Sequence, residues 1–261
     1  MRSLLRRIFR QPDSPRQDAP ARARLEIEAG RPLIYAIGDV HGCYDALLAL
    51  ETRILADARQ EGLGRPLIVY LGDYVDRGPA SREVLTHLSS PRHLDGMDRL
   101  ALCGNHDDAF LRFIRNPADN LAWLDFGGDA TLRSYGLGGL AQLRRPNDPI
   151  SLAAALEAAV PAEHIAFLEN LPILARAGDR LFVHAGIRPG VSLAEQVDED
   201  LLWIREPFLT TGPGLPLTVI HGHTAGEEPV FGSGRVCIDT GCYATGRLTA
   251  LKLTANGVSL L

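Results

Sequence analysis

Three times in the first 115 residues the chain repeats one unit. An apolar run ends at a glycine, polar side chains follow at once, and a stretch with helical spacing comes next. The runs are LIYAI (33–37), LIVYL (67–71) and LALC (100–103). After the first, apolar positions 47, 48, 50, 54 and 55 recur at the helical period. Pro79 stands just before a second helix expected near 80–89, and a third runs through Ile114. Strand–loop–helix repetition predicts an α/β fold with its polar loops gathered at one rim. Residues 116–176 break the rhythm, with a Pro-containing turn near 146–149 and helices over 151–159 and about 161–170. Such an insertion either covers and shapes a pocket or adds packing alone. Short strands then return at 181–183, 218–220, 236–238 and 248–253, each with tight Gly turns nearby, and suggest a second sheet.

Composition narrows this picture. The chain has 261 residues, 46% of them hydrophobic, which suits one large α/β domain with a real core. Its net charge of −5 argues against a nucleic-acid polymer as partner. Seven arginines (2, 6, 7, 10, 16, 22, 24) face only Asp13 and Asp18 in the first 24 residues, so the remainder is strongly acidic. Residues 1–30 are expected to form a flexible arginine-rich tail and 31–261 a single catalytic domain. MRSLLRRIFRQ admits a weak lipid anchor, an import-like peptide or a solvated disordered tail. No apolar run reaches membrane-span length. Cys43, Cys103, Cys237 and Cys242 lack paired spacing, and free thiols in a cytoplasmic protein are the expected reading.

The chemistry lies where the strands end. Asp39 and His41, Asp73, Asn105, His184 and His223 each follow an apolar run. Carboxylates, imidazoles and one amide suit Mn, Fe or Zn better than Ca or a thiolate zinc site. Asp39 and His41 are candidates for one ion, and the flanking Gly38 and Gly42 permit the chain to turn there. His221 and His223 are likewise separated by one residue, and only one of them is expected to bind. Two divalent ions bridged by an Asp would activate water for in-line attack on phosphorus. Arg77, beside the Asp73 loop, is a candidate phosphate clamp. His106, oriented by Asp76, is a candidate acid for the leaving group. His87, His93 and His164 are expected to be surface or packing residues.

The ordered set GDVHG (38–42), GDYVDRG (72–78), GNHD (104–107), HAG (184–186) and GHT (222–224) resembles the calcineurin-like metallophosphoesterases. Within them it is closest to the phosphoprotein phosphatase family of serine/threonine phosphatases. GGDATLRSYG (127–136), LLWIREPFL (201–209) and IDTGCYATGRLTAL (238–251) look like its bacterial branch. The resemblance implies a four-layer αββα sandwich and two divalent ions, Mn foremost. One would be held by Asp39, His41 and Asp73, the other by Asp73, Asn105, His184 and His223. It also implies His106 as general acid with Asp76, Arg77 and Arg205 as phosphate clamps, and Asn105 as a further substrate contact. The expected activity is phosphomonoester hydrolysis on phosphoserine and phosphothreonine in proteins, or on a phosphorylated small molecule. The alternative is symmetrical hydrolysis of diadenosine tetraphosphate, because GNHD ends in Asp107 where protein phosphatases usually carry Glu. A catalytically dead scaffold of this fold would lack a ligand or the acid, and here each is present.

Overall fold

The computed structural model describes residues 21–28, 30–90, 96–138 and 149–261. Most of the arginine-rich tail, His93 and nearly all of the turn expected near 146–149 lie outside them. Strands β2 (Leu33–Ile37), β3 (Leu67–Tyr70) and β4 (Asp98–Ala101) are parallel and form a five-stranded sheet with β10 (Ala250–Thr254) and β11 (Gly257–Leu260), in the order β11-β10-β2-β3-β4. A six-stranded sheet takes the order β1-β5-β6-β7-β9-β8. It comprises β1 (Arg24–Glu26), β5 (Leu174–Ala177), β6 (Arg180–Val183), β7 (Thr218–His221), β8 (Val230–Gly232) and β9 (Arg235–Cys237).

Alternation along the strands builds the layers, because successive side chains point to opposite faces. Ile34, Ala36, Leu67, Val69, Leu251 and Leu253 meet Ala175, Phe182, Ile220 and Val236 between the sheets. The opposite faces, with Leu33, Tyr35, Ile37, Ile68 and Tyr70 on one sheet and Leu181, Val183 and Val219 on the other, join a helix-packed core. Helices α1 (Tyr44–Glu61), α2 (Ser81–Ser89) and α3 (Asn105–Arg115) follow β2, β3 and β4 in turn. The result is the expected α/β arrangement of two stacked sheets flanked by helices.

Two stretches differ from expectation. The tail ends earlier than residue 30: Arg24–Glu26 pair in parallel with Leu174–Arg176 as an edge strand. Arg22 donates to Leu168 O (2.9 Å) and Leu171 O (3.1 Å), and Arg24 to Gln196 O (2.6 Å). Leu168 and Leu171 lie at a helix C-terminus, whose carbonyls favour a cation, and the two arginines together pin the strand. The C-terminus does not close at 253 but turns back as β11. The insertion holds a 3-10 segment (Ala118–Phe126), α4 (Gly128–Ser134), α5 (Pro149–Ala159) and α6 (Ala162–Asn170). Three short helices come later: α7 (Asp198–Trp203), α8 (Phe208–Thr211) and α9 (Cys242–Thr245).

Candidate active site

Parallel strands of both sheets end at one rim, which is where open α/β sheets place their chemistry. The ends of β2, β3 and β4 supply Asp39 and His41, Asp73, and Asn105, while β6 and β7 lead to His184 and to His221 and His223. The backbone there is strained. Among the described residues the non-glycine positions with positive φ are His41 (43°), Asp73 (55°), Asp76 (72°), Arg77 (67°) and His223 (65°). Left-handed conformations cost energy in such residues and persist only where the surroundings impose them. The chain turns at His41 and Gly42 (φ 64°), while the Asp39 carboxyl accepts from His223 N (3.1 Å). Gly38 serves differently, since a Cβ there would sit 2.5 Å from Ile238 O. Likewise a Cβ on Gly104 would collide with Asp73 Oδ1, and one on Gly222 with Asp39 Oδ1. These two glycines let the acidic side chains lie flat against the neighbouring loop.

Two triads share Asp73: His41, Asp73 and His106, and Asp73, His184 and His223, all buried. Nε2 of His41 lies 3.4 Å from Asp73 Oδ2, and Nε2 of His184 lies 3.5 Å from Asp73 Oδ1. His184 Nδ1 donates to Leu71 O (2.9 Å), which leaves Nε2 as a bare lone pair in the neutral ring. That lone pair faces Asn105 Oδ1 at 2.8 Å, and Nδ1 of His223 faces the same oxygen at 2.8 Å. Nε2 of His223 is buried without a hydrogen-bond partner. Acceptors turned toward one another fit a shared cation. His41 follows the same rule, with Nδ1 donating to Val75 O (2.7 Å) and Nε2 turned inward. The donors present thus suit divalent metal ions.

Electrostatics sorts the histidines. Burial pushes His41 down to about 3, and it lowers His184 and His223 as well, so these rings are neutral and free to ligate. His106 goes the other way. Burial disfavours its charge, but Asp73 and Asp76 outweigh burial and Arg77 and hold it above the ordinary histidine value. Its Nδ1 donates to Asp76 Oδ2 at 2.6 Å. Asp76 is fully buried and also accepts from Trp123 Nε1 (2.8 Å) and Thr131 Oγ1 (2.7 Å). Arg77 reaches across the first triad, donating to Nε2 of His41 (2.9 Å) and lying 3.0 Å from Nε2 of His106.

The family model for calcineurin-like phosphoesterases matches residues 32–260. The chain belongs to that family. A bis(5'-nucleosyl)-tetraphosphatase PrpE (asymmetrical) of Halalkalibacterium halodurans is 28% identical over 83% of this chain and 88% of its own length. A symmetrical bis(5'-nucleosyl)-tetraphosphatase of Methylococcus capsulatus is 27% identical over 84% of this chain and 91% of its own. A solved structure provisionally described as a diadenosine tetraphosphatase superposes with a TM-score of 0.60 at 20% identity, covering 91% of this chain and 96% of that one. The protein-tyrosine phosphatase of a Shewanella species superposes at 0.53 and 17% identity, covering 91% and 82%. These two superpositions speak for the fold.

The relatives correct the serine/threonine protein phosphatase reading. Those matched along most of both chains are named as dinucleoside tetraphosphatases. GGDATLRSYG and the Trp203 segment point in sequence to the protein phosphatases, and in the structure both lie against groups of the site. Trp123 and Thr131, from the insertion, hold Asp76, while Trp203 packs 6.0 Å from the His223 ring. Asp107 faces backbone N–H groups. It is fully buried and accepts from Asp73 N (2.8 Å), Tyr74 N (2.9 Å) and Gly104 N (2.9 Å), tying the β3 loop to the start of α3.

Most other expected positions converge. His221 and His223 diverge, His221 packing on Phe208 at 5.1 Å and His223 facing Asn105. Arg205 stands at the rim within electrostatic reach of Arg77 and Asp73; desolvation and the like charge on Arg77 lower its guanidinium. His164 is buried against Tyr135 (2.7 Å to its hydroxyl), and His87 is half-buried beside Glu51 (2.8 Å). All four cysteines are free. Sequence reasoning passed over Asp239, which is buried and hydrogen-bonded to the Asp39 carboxyl; burial and their mutual repulsion raise Asp39. Its signal was present, because Val236 to Ile238 is one more apolar run that ends in a carboxylate.

Proposed function

We propose that this phosphoesterase hydrolyses dinucleoside tetraphosphates, using a pair of divalent cations of which Mn, Fe and Zn are the candidates. The observation that carries the reading is that tetraphosphatase relatives of both kinds, symmetrical and asymmetrical, match along most of both chains, beside a rim with two buried His/Asp groups that could hold metal ions. Asp39, His41 and Asp73 would hold one cation, and Asp73, Asn105, His184 and His223 the other. When bound, the cations polarise phosphoryl oxygens and acidify water.

The chain's own groups supply the rest. Arg77 and Arg205 clamp phosphate oxygens, where Arg can donate two parallel hydrogen bonds. As Arg77 turns to the phosphate, Nε2 of His106 is released to carry a proton toward the leaving oxygen, with Asp76 fixing the ring through Nδ1. His106 and Asp76 are themselves buried, which limits the access of bulk water to the pair. No helix among the described residues is long and apolar enough to cross a membrane.

The test is steady-state hydrolysis by protein reconstituted separately with Mn, Fe and Zn. Diadenosine tetraphosphate is compared with a phosphoserine/phosphothreonine peptide and with p-nitrophenyl phosphate. The expected result is a kcat/KM for the dinucleotide at least tenfold above that for the peptide. A higher value on the peptide with every metal would overturn the reading.

A further inference from the structure

Aromatic rings bracket the histidines of this site. A chain of ring contacts runs from Tyr243 to His41 (5.4 Å), to His106 (4.7 Å), to Phe126 (6.1 Å), to Trp203 (6.0 Å) and back to His223 (6.0 Å). The histidines at its middle are buried, but the flanking rings are not. Phe126 is 37% and Tyr243 43% exposed. They come from unrelated parts of the chain, Phe126 from the end of the 3-10 segment and Tyr243 from α9. Each lies one ring contact from a site histidine, on a different side of the His41–His106 pair. Arg77 lies 4.8 Å over the Tyr243 ring, so this platform also adjoins a phosphate clamp.

Exposed aromatic faces beside a cationic, phosphate-binding rim suit nucleobases, since every base offers a π-face whatever its edge. We propose that Tyr243 takes one base of the substrate and that Phe126, backed by Trp203, takes the other. The inference rests on the dinucleotide reading above and adds where the two nucleosides sit. It also fixes the cut. With one platform a single ring contact beyond His41 and the other a single ring contact beyond His106, the reacting phosphorus lies near the middle of the tetraphosphate. The P–O–P bridge that breaks is then the central one. Water adds its oxygen to one phosphorus, the bridging oxygen leaves with the other, and two nucleoside diphosphates result. An off-centre cut would need one base next to the metals and the other several phosphates away.

The experiment uses the metal-loaded full-length protein and its Tyr243→Ala, Phe126→Ala, Tyr243→Phe and Phe126→Trp variants. Each is assayed on diadenosine tetraphosphate and on p-nitrophenyl phosphate, with the dinucleotide products separated by anion exchange. Each alanine variant is expected to raise the KM for the dinucleotide about tenfold and to lower the ratio of dinucleotide to p-nitrophenyl phosphate kcat/KM accordingly. The aromatic replacements should restore that ratio, and the products should be two ADP. Equal loss on both substrates would mean that the rings only shield the site, and the proposal falls. It falls equally if the dinucleotide KM does not move, or if ATP and AMP are formed. Those results leave the dinucleotide reading standing. Wild-type protein that cleaves p-nitrophenyl phosphate and not the dinucleotide would remove that reading, and the platforms with it.

Discussion

Asp76→Asn isolates what a charge does for His106. Asp76 receives three side-chain hydrogen bonds, from His106 Nδ1 (2.6 Å), Trp123 Nε1 (2.8 Å) and Thr131 Oγ1 (2.7 Å). In the variant the amide oxygen can keep the first two, and the amide NH₂ can donate to the Thr131 hydroxyl. The hydrogen-bond pattern survives and the negative charge does not. A hydrogen bond to a charged partner contributes about 1.5–3 kcal/mol against about 1 for a neutral one. The difference, on the order of 1.4 kcal/mol, is about one pKa unit. The Asp76 carboxylate beside His106 favours its protonated, acid-competent form. Removing that charge moves the alkaline limb of kcat/KM down by about one pH unit. At pH 8 the loss on an alkyl phosphomonoester is expected to be about tenfold. The loss on p-nitrophenyl phosphate should be much smaller, because that leaving group departs without protonation. His106→Asn, which removes the acid outright, should cost the alkyl substrate about 100-fold or more. The assay is a pH–rate profile on both substrates for both variants. An unmoved alkaline limb, or equal losses on both substrates, would refute the assignment of His106 as acid and Asp76 as its orienting partner.

Three further outcomes are expected. Asp239→Ala removes the carboxyl that backs Asp39 and should weaken metal affinity about 10- to 100-fold, measured by competition with a chelator; unchanged affinity would show that Asp39 needs no such support. Gly104→Ala drives a Cβ into Asp73 Oδ1 and should abolish metal uptake while circular dichroism still reports a folded chain; normal uptake would mean that the loop has room to give. His221 is neutral in the folded chain because burial lowers it to about 3. The unfolded chain protonates there below about 6.5, so stability falls as pH falls between those values. In urea unfolding from pH 6 to pH 4, His221→Leu should lose about 1.4 kcal/mol per pH unit less than wild type, and parallel slopes would sink the argument.

Local pattern alone carries the class of chemistry. Strand ends, helix starts and the order of the polar loops are short-range features, and an apolar run closed by Gly and a carboxylate reads the same in the chain as in space. That is why Asp39, His41, Asp73, Asn105, His184 and His223 stand out in the linear chain. The edge strand Arg24–Glu26 does not, because three mixed residues become a strand only through Leu174–Arg176 and the carbonyls that hold Arg22 and Arg24. Asp239 is visible as a carboxylate, but its role depends on a distant partner, Asp39. Trp123 and Thr131 look like packing residues until the fold puts them on Asp76. Asp107 looks like a substrate determinant until the fold seals it among three backbone N–H groups. The sorting of histidines into ligands and acid is also a tertiary decision. Identical imidazoles titrate differently only once burial and neighbouring carboxylates have been assigned to each.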